Sequence, residues 1–210
     1  MEYALGAVLN DLVNMIHTRA DKKGLKFIVN ADPNIPSILF GDEIRIKQVI
    51  TNILTNAVKY TEKGSVTLTV DYKEKGTDSV ILIVNIKDTG IGIKEEDIEK
   101  LFKAFERIEE ERNRTIEGTG LGMNITKQLL TMMGAELRVA SVYGQGSNFS
   151  FQVAQKVLNH EPIGDFEEAY KQLPEGTGKN YLRSFIANCK KDSSNEEIVK
   201  GDRKSTRLNS

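Results

Sequence analysis

Proline is absent from residues 37–161, and Pro33, Pro36, Pro162 and Pro174 all lie outside that stretch. Proline breaks helix interiors and removes donors from central strands, so this segment can hold an uninterrupted core. Ahead of it, Leu5, Val8, Leu9, Leu12, Val13 and Ile16 recur at helical spacing, and Gly24 suits a C-terminal stop. Residues 25–30 read as a strand and 32–36 as a loop. Asp42 can cap a second helix reaching about Tyr60. Val66, Leu68, Val70 and Tyr72 alternate with polar residues, as in a half-buried strand. Residues 80–84 are continuously apolar, as in a strand covered on both faces. A third helix is expected over 121–133, with Ile125, Leu129, Met132 and Met133 as its inner face, then strands around 136–142 and 149–157. This order predicts an α+β fold: a two-layer α/β sandwich whose mixed, mostly antiparallel sheet is backed by helices.

Composition narrows the function. At 39% hydrophobic over 210 residues the chain can bury a core and is not a disordered polymer. Lys plus Arg total 29 against 30 acids, so net charge gives no drive toward nucleic acid or an anionic membrane. Cys189 has no partner for an internal disulfide, and one Cys with two His leaves no structural zinc site. No apolar run approaches the roughly 20 residues of a bilayer span. The first residues lack a signal-peptide pattern, so the sequence reads as a soluble cytoplasmic domain with no membrane insertion. From 158 onward apolar residues scatter, as in a connector and loose tail.

The second helix carries polar residues in an unusual place. Ile46, Val49, Ile50, Ile53, Leu54, Ala57 and Val58 form its apolar face, while Gln48, Asn52, Asn56 and Lys59 form one stripe beside it. Lys47, Thr51 and Thr55 are left to face solvent. Asn costs roughly half a kcal/mol against Ala inside a helix, so mere solubility would favour other residues. A line of amides next to a lysine suits a hard cation bridging phosphates, although a solvated surface is the alternative.

Glycines follow in clusters. Asp88-Thr89-Gly90-Ile91-Gly92-Ile93 places an acid and two glycines after a strand, where the backbone can approach a flat ligand and the carboxylate can accept from an amine. Gly118-Thr119-Gly120-Leu121-Gly122 precedes a helix and suits a phosphate chain. Gly144-Gln145-Gly146-Ser147 reads as a tight turn from which Ser147 can reach a base pocket. No cluster gives GxGxxG. The one P-loop look-alike has Leu173 and Asn180 where a glycine and a Ser or Thr belong. Between the clusters, Phe102 and Phe105 precede a charged run over 106–117, read as a lid before the phosphate glycines.

Together these residues resemble the catalytic, ATP-binding domain of sensor histidine kinases, within the ATPase superfamily shared with gyrase, the ninety-kilodalton heat-shock chaperone and MutL. Residues 48–61 look like its N box, 88–92 its first glycine box, 102–105 its phenylalanine box and 118–122 its second glycine box. The resemblance covers roughly residues 1–157 and implies ATP and Mg²⁺ as ligands. Asn56 would coordinate Mg²⁺ with Asn52 supporting it, Lys59 would contact phosphate, and Tyr60 would lie against the nucleotide. Asp88 would accept from the adenine amino group, with Gly90 and Gly92 shaping the pocket. Gly118, Gly120, Leu121 and Gly122 would fold over the phosphates. Ile93, Phe102, Arg107, Thr119 and Ser147 complete the implied nucleotide-contacting set.

The implied chemistry transfers the γ-phosphate to a histidine on a separate dimerisation domain. The acceptor nitrogen is the nucleophile, so no residue here is assigned as catalytic. His17 lacks the acid and proline spacing of an acceptor, and His160 is followed by Glu161-Pro162. Residues 1–22 are therefore expected to be the end of a dimerisation-domain helix, 23–157 the catalytic domain and 158–210 a connector and tail. The implied partners are that histidine-bearing domain and a response regulator receiver domain, with the chain a piece of a hybrid kinase. Two alternatives stand beside this reading: a nucleotide-binding scaffold without transfer, and a slow ATPase, since Asn52 occupies the place of the superfamily's general-base glutamate.

Overall fold

A computed structural model describes residues 1–102 and 121–164 of the chain. Among these, Met1–Ile163 form one unit. Gly164 begins a second unit, Gly164–Ser210, of which it alone is described.

The chain starts as a short strand β1 (Glu2–Ala4) that turns directly into helix α1 (Leu5–Lys22). The periodic apolar residues of α1, from Leu5 to Ile16 and on to Ala20, are all buried. Gly24, at φ 67°, ends the helix, and the Leu25 amide reaches back to Ala20 O. Strands β2 (Lys26–Ala31) and β3 (Pro36–Phe40) lead into α2 (Glu43–Tyr60), whose cap Asp42 accepts from the Arg45 amide. Strands β4 (Ser65–Glu74) and β5 (Ser79–Asp88) form a hairpin. Two single 3₁₀ turns, α3 (Gly122–Met132), β6 (Arg138–Val142) and β7 (Gly146–Pro162) complete the unit.

The sheet order is β1-β3-β7-β5-β4-β2, with β6 also paired to β7. Among the described residues only β2 and β4 run parallel, and the other pairs are antiparallel. β7 organises the sheet: β5 lies along one edge, while β6 and then β3 share the other. Helices α1 and α2 pack on each other and on the strands. The sheet buries one face, seen in the alternation of Val66, Leu68 and Val70 with half-exposed neighbours. At the far edge the Tyr3 hydroxyl donates to Gln155 Oε1, and burial pushes that phenol well above its usual pKa. This is the expected two-layer sandwich with a mixed, mostly antiparallel sheet.

The structure differs from the sequence expectations in four places. The apolar run 80–84 predicts a strand covered on both faces. Instead Val80, Leu82, Val84 and Ile86 are buried while Ile81 and Ile83 stay half-buried, because the described helices cover one face only. The inner face of α3 is Met123, Thr126 and Leu130 rather than Ile125, Leu129, Met132 and Met133; Met132 is 64% exposed. Lys47, Thr51 and Thr55 face solvent only in part, each being half-buried. Lys47 pairs with Asp11, and Thr55 accepts from Arg19, both on α1. Strands β1 and β3 escaped the sequence reading because each is too short to show a period, and β3 begins on a proline.

Candidate functional site

Helix α2 presents its polar stripe beside α3. Asn52 Nδ2 donates to Thr126 Oγ1 at 3.3 Å and stands 3.5 Å from Gly122 O. Thr126 in turn donates to Gly122 O at 2.8 Å, so the first turn of α3 is tied to the stripe by side chains. Asn56, one turn further along, is half-buried. Beyond it, Lys59 Nζ lies 4.9 Å from the centre of the Tyr60 ring. Among the described residues a Cβ built on Gly122 would meet nothing within 4 Å. Phe102 is held to α3, its carbonyl accepting from Asn124 Nδ2 and its ring lying 5.1 Å from Lys127 Nζ.

The other end of the site is built on β5 and β7. Asp88 closes β5 at 5% exposure. Its Oδ1 accepts from the Gly90 amide at 2.8 Å and the Ser147 amide at 3.3 Å. Among the described residues Oδ2 takes no hydrogen bond. Burial raises the Asp88 pKa above the ordinary carboxylate value, and the two amide bonds pull it back in part. Gly90 has no room for a side chain: a Cβ would stand 2.4 Å from Tyr60 O and 2.9 Å from Asp88 Oδ1. Gly92, at φ 68°, presses on Val142 O in the same way. The loop is also tied to α2 through Ile91 N–H to Tyr60 O at 3.2 Å.

Two supporting side chains carry no sequence pattern that marks them. Thr61 is fully buried beside Gly90 and donates to Ala57 O at 2.7 Å, locking the last turn of α2. It stood within the quoted N-box stretch without a role. Ser141 lies across β7 from Asp88, in the row Asp88, Ser147, Ser141. Its hydroxyl accepts from the Ile93 amide at 2.8 Å and donates to Gly146 O at 2.9 Å. Its oxygen also stands 2.9 Å from the Ser147 hydroxyl, a contact in which either hydroxyl can donate. Ser147 thus lies beside Asp88 with a hydroxyl able to donate or accept.

The structure thus brings Asp88, Gly90, Ile93 and Ser147 together with the end of α2, and joins Asn52, Leu121, Gly122 and Phe102 around α3. Phe105, Arg107, Gly118, Thr119, Gly120 and the charged run 106–117 lie outside the described residues, as does the tail from 165. No cluster of three or more His, Cys, Asp or Glu able to hold a metal occurs among the described residues. The Asn56 amide oxygen fits Mg²⁺ only in company with phosphate ligands, which is how that ion prefers to bind.

Residues 41–157 match the family described as "Histidine kinase-, DNA gyrase B-, and HSP90-like ATPase". Hybrid signal transduction histidine kinase B of Dictyostelium discoideum is 35% identical over 158 residues, 75% of this chain and 8% of that protein. The signal transduction histidine-protein kinase BarA of Escherichia coli K12 is 35% identical over 151 residues, 72% of this chain and 16% of that protein. The chain thus spans a small part of the relatives it matches. Among solved structures, full-length ShkA in complex with AMPPNP superposes with a TM-score of 0.62 at 28% identity, covering 76% of this chain and 32% of that one. The catalytic domain of histidine kinase ThkA in a nucleotide-free form gives 0.57 at 25% identity, covering 73% of this chain and 96% of that one. The match over more than half of the sequence, on a sheet and helices arranged as in these neighbours, means that the chain belongs to the histidine kinase-, DNA gyrase B- and HSP90-like ATPase family, as an ATPase domain of the histidine kinase kind.

Proposed function

We propose that this chain binds Mg-ATP and passes the γ-phosphate to a histidine on a dimerisation domain, from which a receiver domain takes it. The observation that carries the reading is Asp88, buried, with one carboxylate oxygen fixed by two backbone amides and the other left to accept from an amino group. Ser147 stands beside it, its amide on the same carboxylate and its hydroxyl able to donate or accept. An amino-purine edge supplies the donors such a pocket requires. Gly90 and Gly92 keep the loop flat against the base, with Ile93 and Tyr60 beside it.

At the phosphate end Asn56 and Asn52 are the residues that would hold Mg²⁺, which supplies charge neutralisation on the phosphate oxygens. Lys59 adds a positive charge there, and Leu121 and Gly122 open α3 toward the chain of phosphates, continuing from Gly118, Thr119 and Gly120. Phe102 and Arg107 flank this end. The histidine nitrogen bonds to the γ-phosphorus as the bond to the bridging oxygen breaks, and ADP leaves with that electron pair. The site positions and neutralises; it supplies no base. The stripe holds no carboxylate to activate water, so hydrolysis is slow. Residues 23–157 are proposed as the catalytic domain, with 1–22 leading in from the histidine-bearing domain and 158–210 leading out. The proposed setting is the cytoplasm. Among the described residues no helix is long and apolar enough to cross a membrane.

Calorimetry with AMPPNP and Mg²⁺ tests the binding. Asn56→Ala and Asp88→Asn should each abolish the heat seen with the unchanged chain. Equal heats in all three would overturn the reading. Transfer is then measured with ATP and a supplied dimerisation domain, where binding without phosphohistidine would make the chain a scaffold.

A further inference from the structure

We infer that Lys23 is a positioning residue for the nucleotide site, its ammonium fixing the end of α2 where Tyr60 meets the 88–92 loop. The inference rests on the nucleotide reading above. A helix end leaves carbonyls without partners and carries the negative end of the helix dipole. Lys23 Nζ donates to Val58 O at 2.9 Å, Lys59 O at 2.8 Å and Thr61 O at 3.1 Å. All three ammonium donors are used.

The missing carbonyl in that series is Tyr60 O, and it belongs to the glycine loop. It accepts from the Ile91 amide at 3.2 Å and is the backbone atom that bars a side chain from Gly90. Four consecutive carbonyls are therefore divided between one lysine and one loop. The same four residues carry the Lys59 and Tyr60 side chains. If Lys23 lets go, carbonyls 58, 59 and 61 turn to water, and the acceptor for Ile91 and the wall behind Gly90 move with them.

The base of the lysine is itself immobilised. Its backbone amide closes α1 on Ala20 O, and Gly24 turns the chain immediately afterwards. Two other polar ties join α1 to α2, Lys47 to Asp11 and Arg19 to Thr55. Both are side chain to side chain, and neither touches the α2 terminus. Lys23 differs because it grips main chain at the residues that face the ligand.

The test uses the full 210-residue chain. Lys23→Met should weaken AMPPNP–Mg²⁺ binding about tenfold, a loss suited to charged hydrogen bonds acting through position. Lys47→Met, which cuts a comparable tie away from the α2 end, should bind as the unchanged chain does. Lys23→Arg, retaining charge and donors, should recover most of the affinity. Without nucleotide, hydrogen exchange at the Ile91 amide should quicken in Lys23→Met and stay slow in Lys47→Met. Unchanged affinity in Lys23→Met, an equal loss in Lys47→Met, or unchanged Ile91 exchange overturns the inference. Should Lys23→Met not fold, Lys23→Gln enters the same comparison. An unchanged chain that gives no heat with AMPPNP refutes the proposed function, while the Ile91 exchange still decides what Lys23 holds.

Discussion

Asp88 sits under two effects that oppose each other: the Gly90 and Ser147 amides favour its ionised form, and burial favours its neutral form. Two backbone amides offset part of the desolvation, and the net pKa remains raised. The folded chain therefore holds this proton to higher pH than the unfolded chain does. Between about 3.9, the ordinary carboxylate value, and the raised folded value, the folded state binds more protons, so stability falls as pH climbs through that window and stays lower above it. Asp88→Asn removes the titration while keeping an oxygen for Gly90 and Ser147. Thermal melts across the acidic to neutral range should show the variant gaining on the unchanged chain as pH rises. The opposite trend would mean that the amide bonds outweigh burial. At this scale the sequence was informative wherever a residue was chemically odd for its place, such as an Asn inside an apolar helix or an acid at a strand end. Thr61, Ser141 and Lys23 gave no such sign. Ser141 and Lys23 act through partners brought close only by folding, and Thr61 acts on its own helix while walling a loop from elsewhere in the chain.

Helix α2 shows how far one element can be read from its own residues. Its cap, its apolar face and its polar stripe follow from spacing, and each is present. The cap gives a direct check. Asp42 accepts from the Arg45 amide at 3.1 Å and pairs with the Arg45 side chain at 3.0 Å. Asp42→Ala should cost about 1 kcal/mol, seen as a lowered denaturant midpoint with the slope unchanged. A midpoint that does not move would show the helix start to be held by its packing alone. Helix α3 teaches the reverse. Residues 125, 129 and 132 and residues 123, 126 and 130 both follow helical spacing, and hydrophobicity favours the first set. The second set faces inward because Thr126 meets Asn52, a polar contact that no measure of hydrophobicity rewards.

Across the whole unit, α1 is part of the core rather than an appendage. Seven of its side chains are buried, and β1 ahead of it pairs with β3. Truncating one buried Leu costs about 2–5 kcal/mol, and a domain has only about 5–15 kcal/mol in reserve. Removing residues 1–22 should therefore abolish cooperative thermal unfolding, followed by circular dichroism. A truncated chain that still melts sharply near the original temperature would show that β2 to β7 can close a core without α1. The sequence by itself determined which segments become helices or long strands, and which residue types can meet a base, a cation and phosphates, because period and chemical type are local properties. Tertiary structure alone decided which stripe of α3 turns inward, that short β1 and β3 join the sheet, and that Lys23 reaches the carbonyls ending α2 while Ser141 meets the Ile93 amide. Those outcomes depend on partners tens of residues away in the chain, and the energy of such a pairing exists only once the backbone has placed both sides within reach.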